Sequence, residues 1–133
     1  MIVDASAILA VFLKEPGHGA ILEVLTGADV LGIGSPTLAE TGIVLESRFG
    51  EPGAGWLRQF IEEFGLAVIP FGELHAREAI AAYARFGKGR HEAGLNFGDC
   101  LTYAVARLAG QPLLCVGTDF PRTDLDLVQL DSR

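Results

Sequence analysis

The sequence predicts an α/β fold: a three-layer α/β/α sandwich with a short, mainly parallel central sheet. Two observations predict the layers. Short apolar runs at 1–3, 30–34, 66–71 and 113–116 alternate with segments of helical period, and such alternation builds a parallel sheet covered by helices on both faces. A chain of 133 residues, half of them hydrophobic, makes one domain with a sizeable core but is too short for two. A third observation sets the function to look for. Four acids, Asp4, Glu40, Asp99 and Asp119, follow strands or open helices, at the strand carboxyl ends where sheets of this kind bind ligands.

Each element has a local reason. Met1, Ile2 and Val3 make a brief strand, and 5–14 is a helix of good helix formers without Gly or Pro. Glu15-Pro16-Gly17 breaks it, and 19–26 carries Ile21, Val24 and Leu25 at amphipathic spacing. After the apolar run 30–34, Ser35-Pro36 starts a helix reaching about Phe49, with Pro at the first helical position, where its missing N–H does no harm. A turn at 50–55 leads to a helix at 56–64 and a strand at 66–71, which Pro70 confines to an edge or to its own end. The helix at 73–86 places Leu74, Ala79, Ile80 and Tyr83 on its apolar side. Three glycines and a basic cluster mark 87–94 as a loop of functional character. Asn96 caps a helix running through Asp99 to Leu108, stopped by Gly110 and Pro112, and strands follow at 113–116 and 127–130.

Composition excludes several classes. No apolar stretch approaches the roughly 20 residues of a membrane span, and Asp4 interrupts the N-terminal apolar residues too early for a signal peptide. The expectation is a cytosolic protein. Cys100 and Cys115 lack metal-ligand spacing and read as reduced packing residues. The three histidines share no such spacing either, and there is no glycine-rich nucleotide motif. The net charge of −7 argues at first against a nucleic-acid partner. A bound cation would neutralise part of the acidity, however, and Asp124, Asp126 and Asp131 load the C-terminal tail. Positive charge is local: Arg85, Lys88, Arg90 and His91 are close together, diluted by Glu92.

The acids carry the chemistry. Singly, Asp4 and Asp99 read as helix-start residues and Asp119 as an Asx-turn, whereas Glu40 sits among apolar neighbours, where an unpaired charge is costly. Jointly they require a reason to converge. Carboxylates brought together repel and take up protons; Mg²⁺ or Mn²⁺, which prefers oxygen ligands and keeps several waters, makes the cluster tolerable. Such ions support phosphodiester hydrolysis without a His, Cys or Lys nucleophile. Ser6 and Thr118 are candidates to orient a water or an acid, and Asn96 divides between capping and support. Arg48, Lys88, Arg90 and His91 are candidate RNA-phosphate contacts, against the plainer reading of a solvated charged surface. The apolar excess suggests a buried partner surface: Ile8, Leu9, Val11, Phe12, Leu13, Ile21, Leu22, Leu25, Trp56, Leu57 and Phe60 exceed what one core face needs.

In order along nearly the whole chain, Met1-Ile2-Val3-Asp4-Ala5-Ser6-Ala7, Glu40 with 42–50, Gly87-Lys88-Gly89-Arg90-His91, Leu95-Asn96-Phe97-Gly98-Asp99-Cys100 and Gly117-Thr118-Asp119-Phe120 with Thr123-Asp124 resemble the PIN-domain ribonucleases of the VapC toxin type. The resemblance implies a single PIN domain over 1–133 and a Mg²⁺- or Mn²⁺-dependent endoribonuclease of a toxin-antitoxin pair. Its acidic site would be Asp4, Glu40, Asp99 and Asp119. It also implies a cognate VapB-type antitoxin, for which the surplus apolar positions offer a helix groove, and a homodimeric toxin. The chain departs from the pattern at Ala5, at Thr118 and at Glu92, which replaces a frequent Pro and adds negative charge to the basic loop.

Two other readings stay open: a catalytically silent binding module of the same fold, and an aspartate-based phosphoryl-transfer or receiver-like α/β protein. The latter expects an early acidic pair with a late Lys, or Asp-x-Asp; Asp4-Ala5-Ser6 supplies neither.

Overall fold

The sheet runs β3-β2-β1-β4 with every pairing parallel. The computed structural model describes residues 1–130; Asp131 lies outside the described residues. The strands are β1 (Ile2–Val3), β2 (Leu31–Gly34), β3 (Leu66–Ile69) and β4 (Leu113–Leu114). Among the described residues six α-helices connect and cover them: α1 (Ala5–Phe12), α2 (His18–Gly27), α3 (Ser35–Phe49), α4 (Pro52–Phe64), α5 (Glu73–Phe86) and α6 (Phe97–Ala109).

The strands' period of two sorts the core onto two faces. Val3, Leu31, Ile33, Leu66 and Leu114 point to one side, where they pack with Ala7 and Ile8 of α1, Ile21 and Leu25 of α2, Leu45 of α3, and Leu57 and Phe60 of α4. Ile2 and Leu113 point to the other, against Ala79, Ala82 and Phe86 of α5 and Tyr103 to Ala106 of α6. On this second face β2 presents Gly32 and Gly34. A β-carbon at Gly34 would lie 2.8 Å from Cγ2 of Val105, so the missing side chain lets α6 lie close against the sheet.

Strand β3 ends at Ile69 rather than at Phe71, just before Pro70, and lies at the sheet edge, in keeping with the limit expected of that proline. Other expectations need correction. Helix α4 starts at Pro52 rather than 56, because Pro52 takes the tolerated first helical position. The 127–130 strand reduces to one parallel bridge, Leu127 to Leu113, with Leu113 N–H donating to Asp126 O and Val128 N–H to Leu113 O, each at 2.9 Å. Strand β4 stops at Leu114, since Val116 N–H donates at 2.9 Å to the Ser6 hydroxyl instead of to a neighbouring strand.

Helix α5 is rotated from the expected face. It buries Ala79, Ala82 and Phe86, and leaves Leu74, Ile80 and Tyr83 exposed. Of the surplus apolar positions, Ile8, Ile21, Leu25, Leu57 and Phe60 are core residues, while Leu9, Val11, Phe12, Leu13 and Leu22 are partly buried. Trp56 remains half-exposed and lies against Phe49, ring centroids 5.3 Å apart. Among the described residues no helix is long and apolar enough to cross a membrane.

Candidate active site

All four strands point the same way, so their carboxyl ends form one edge; Asp4, Glu40 and Asp119 lie on chain that follows β1, β2 and β4, and Asp99 lies in the first turn of α6. Asp4 follows β1 directly and is buried. Its backbone N–H donates to Leu114 O at 2.9 Å, and its side chain caps α1. Asp4 Oδ2 accepts Ser6 N–H at 3.1 Å and the Ser6 hydroxyl at 2.6 Å. Because Ser6 Oγ also accepts Val116 N–H, one hydroxyl ties the Asp4 carboxylate to the chain leaving β4. Capping and site geometry thus coincide in this residue.

Asp99 sits in the first turn of α6, at the third helical position, and forms a capping box with Asn96. Asn96 Oδ1 accepts Asp99 N–H at 2.8 Å, and Asp99 Oδ2 accepts Asn96 N–H at 3.1 Å. Glu40 is on α3, whose first turn is locked to α6 by a buried 3.0 Å hydrogen bond between the Thr37 and Thr102 hydroxyls. Glu40 lies one turn beyond Thr37 and Asp99 one turn before Thr102, so this lock fixes the two acids relative to each other. Asp119 is exposed and precedes a short 3-10 turn, Phe120–Arg122, without a side-chain cap bond. The Asx-turn reading therefore does not describe it. Thr118 is exposed beside it.

The charges of the other three acids all act on Asp99. Burial pushes the Asp99 carboxyl up to about 6; the Asn96 N–H opposes this, while Asp4, Asp119 and Glu40 add to it. Burial and then Asp4 raise Glu40. Cys115, half-buried, is pushed up to about 12 by burial and then by Asp4 and Asp99, which puts its thiol beside the acids and keeps it protonated and unreactive. From the sequence it read only as a packing residue; its position directly after β4 was the available signal.

Among the described residues no three Asp, Glu, His or Cys side chains form a ready-made metal cage. The donor set nonetheless suits a hard cation: it is all carboxylate oxygen, and it carries a mutual repulsion that positive charge would relieve.

The basic residues are less uniform. Lys88 and Arg90 are exposed, with the Arg90 guanidinium 5.3 Å from the Tyr83 ring centroid. His91 turns into the loop, its Nδ1 accepting Ala93 N–H at 3.0 Å and its ring edge-on to Phe86. Arg122 donates to Glu92 O at 3.4 Å, bringing the loop alongside the segment after Asp119. Arg48 is in the last turn of α3, eight residues and about 12 Å of helical rise beyond Glu40. Arg122 was not singled out in the sequence; only the fold places it here.

The PIN domain family model matches residues 1–125. Ribonuclease VapC36 of Mycobacterium tuberculosis is 46% identical over 127 residues, covering 95% of this chain and 91% of that protein. The chain belongs to the PIN-domain family, among the VapC ribonucleases. Solved structures agree on the fold of this PIN domain. M. tuberculosis VapC20, described as a sarcin-ricin loop cleaving toxin, superposes with a TM-score of 0.79 at 21% identity, covering 96% of this chain and 98% of its own. VapBC2 from Rickettsia felis, bound to a DNA fragment from its promoter, gives 0.78 at 19% identity, with 98% of both chains covered.

Proposed function

We propose that this PIN domain, a single unit over 1–133, is the toxin of a toxin-antitoxin pair and hydrolyses RNA phosphodiester bonds with Mg²⁺ or Mn²⁺ held by Asp4, Glu40, Asp99 and Asp119. The observation that supports the site most directly is at Asp99, whose carboxyl is raised first by burial and then further by the charges of Asp4, Asp119 and Glu40. When bound, the cation supplies charge neutralisation at the phosphate and acidifies a water for attack. The protein's part is placement. Ser6 aims Asp4, the Asn96 box aims Asp99, and the Thr37–Thr102 bond sets α3 against α6. Lys88 and Arg90, exposed on the 87–94 loop, hold the RNA backbone through its phosphates; Thr118 supports Asp119.

The proposal extends to partners. A VapB-type antitoxin inhibits the enzyme in the cytoplasm, a reading supported by the solved toxin-antitoxin complexes of the same fold. A second copy of the chain covers the apolar surface around Phe97, Ile80 and Ile43, which are 79%, 71% and 67% exposed.

Cleavage of single-stranded RNA by the purified protein tests the reading. Activity should require Mg²⁺ or Mn²⁺, stop with EDTA and be lost in a folded Asp99→Asn variant. Cleavage that survives both changes would refute it.

A further inference from the structure

The Asp124 carboxylate joins three side chains on two helices. Oδ1 accepts the Tyr103 hydroxyl of α6 at 2.6 Å; Oδ2 accepts Arg85 of α5 at 2.9 Å and Arg107 of α6 at 3.1 Å. The two arginines are about half-exposed, and as surface ion pairs alone they would contribute little. Tyr103 changes the case, because it is fully buried and spends its hydroxyl on this carboxylate. Burial, and then the bond to Asp124, pushes that hydroxyl up to about 12, so it remains a donor at neutral pH. For Asp124 itself burial acts upward, but the Tyr103 and Arg85 bonds and the charges of Arg107 and Arg85 outweigh it and hold the carboxyl below its ordinary range.

Asp124 comes five residues after Asp119, and the stretch between is anchored. Phe120 is buried in the core beside α5 and α6. The Thr123 hydroxyl donates to Phe120 O at 2.7 Å and accepts Leu125 N–H at 3.3 Å. Upstream the chain is different: 116–119 are exposed, and Gly117 has φ +114°. Asp119 therefore lies between an exposed turn and an anchored segment, and the anchored segment sets where its carboxylate can stand.

We propose that Asp124 is a positioning residue for Asp119, clamping the segment after it to α5 and α6 so that the Asp119 carboxylate stays at the cation site. This rests on the cation-site reading above. The clamp acts in the absence of RNA, so its effect is on cation binding and on the order of residues 118–123.

Mn²⁺ alone, titrated calorimetrically into the full chain, tests it. Asp124→Asn should weaken Mn²⁺ binding about tenfold, the scale typical for loss of an outer partner of a metal site, and should speed amide hydrogen exchange across 118–123. Tyr103→Phe, which preserves the packing, should do the same to a smaller extent. In Asp119→Asn the further change Asp124→Asn should cost no additional affinity, since the clamp acts through Asp119. Wild-type affinity in Asp124→Asn, or additive losses in the double variant, would overturn the positioning role alone. A wild-type chain that binds no Mn²⁺ would overturn the cation site and this proposal with it.

Discussion

A β-carbon at Gly98 would stand 2.9 Å from Oε2 of Glu40. The motif glycine before Asp99 is thus the space into which the Glu40 carboxylate reaches from α3. Gly98→Ala should leave the fold intact, because the atom displaced is the end of a flexible side chain and Ala favours a helix over Gly by up to about 1 kcal/mol. The Glu40 carboxylate, however, must shift from this position. We expect an unchanged or higher melting temperature together with a fall in RNA cleavage of about tenfold or more. Full activity in that variant would show that Glu40 does not need this position.

Asp99 gives the cation-free protein a defined pH dependence. Its carboxyl titrates at about 6 in the fold, against an ordinary 3.8. Between those values the folded state holds a proton that the unfolded chain has released, so stability falls as pH rises from about 4 to about 6 and levels off above. Partial exposure limits the effect to roughly 1–2 kcal/mol. Melting curves in EDTA across this range should show the decline, and Asp99→Asn should flatten it. Mn²⁺ should reverse the trend, stabilising more at pH 7.5 than at pH 5, because protons compete for its ligands.

Ser6 links two parts of the site through one oxygen, donating to Asp4 at 2.6 Å and accepting Val116 N–H at 2.9 Å. Ser6→Ala removes both bonds, and chemical denaturation should register a loss of roughly 1–2 kcal/mol. Mn²⁺ affinity should fall as well, since Asp4 loses the hydroxyl that aims it. A variant with reduced stability and wild-type Mn²⁺ binding would confine Ser6 to a structural bond.

The loop cations carry a prediction separable from the chemistry. Lys88→Ala with Arg90→Ala should weaken RNA binding and lower its salt-dependence slope by roughly 1 to 2, at about 0.7 per phosphate contact on a single strand. Mn²⁺ binding should not change. Unaltered binding and slope would leave these residues as a solvated surface.

The order of elements was legible because it depends on local chemistry: Pro36 and Asn96 at helix starts, Gly110 ending α6, and apolar runs between them. The failures were equally physical. Leu74, Ala79, Ile80 and Tyr83 have a plausible helical period, but which side of α5 is buried depends on where α6 packs, and the close fit favoured Ala79, Ala82 and Phe86. Residues 127–130 look like a strand, yet β4 ends after two residues, so only one bridge forms.

The sequence by itself determined the alternation of strands and helices and the identity of the four acids, because periodicity, capping chemistry and ordered motifs are written in neighbouring residues. Only the tertiary structure decided that Gly98 makes room for Glu40, that Cys115 lies beside the acids, and that Asp124 grips Tyr103, Arg85 and Arg107 instead of lying loose in an acidic tail. Those relations join residues from 16 to more than 100 positions apart, and they exist only once helices α3, α5 and α6 have packed against one sheet.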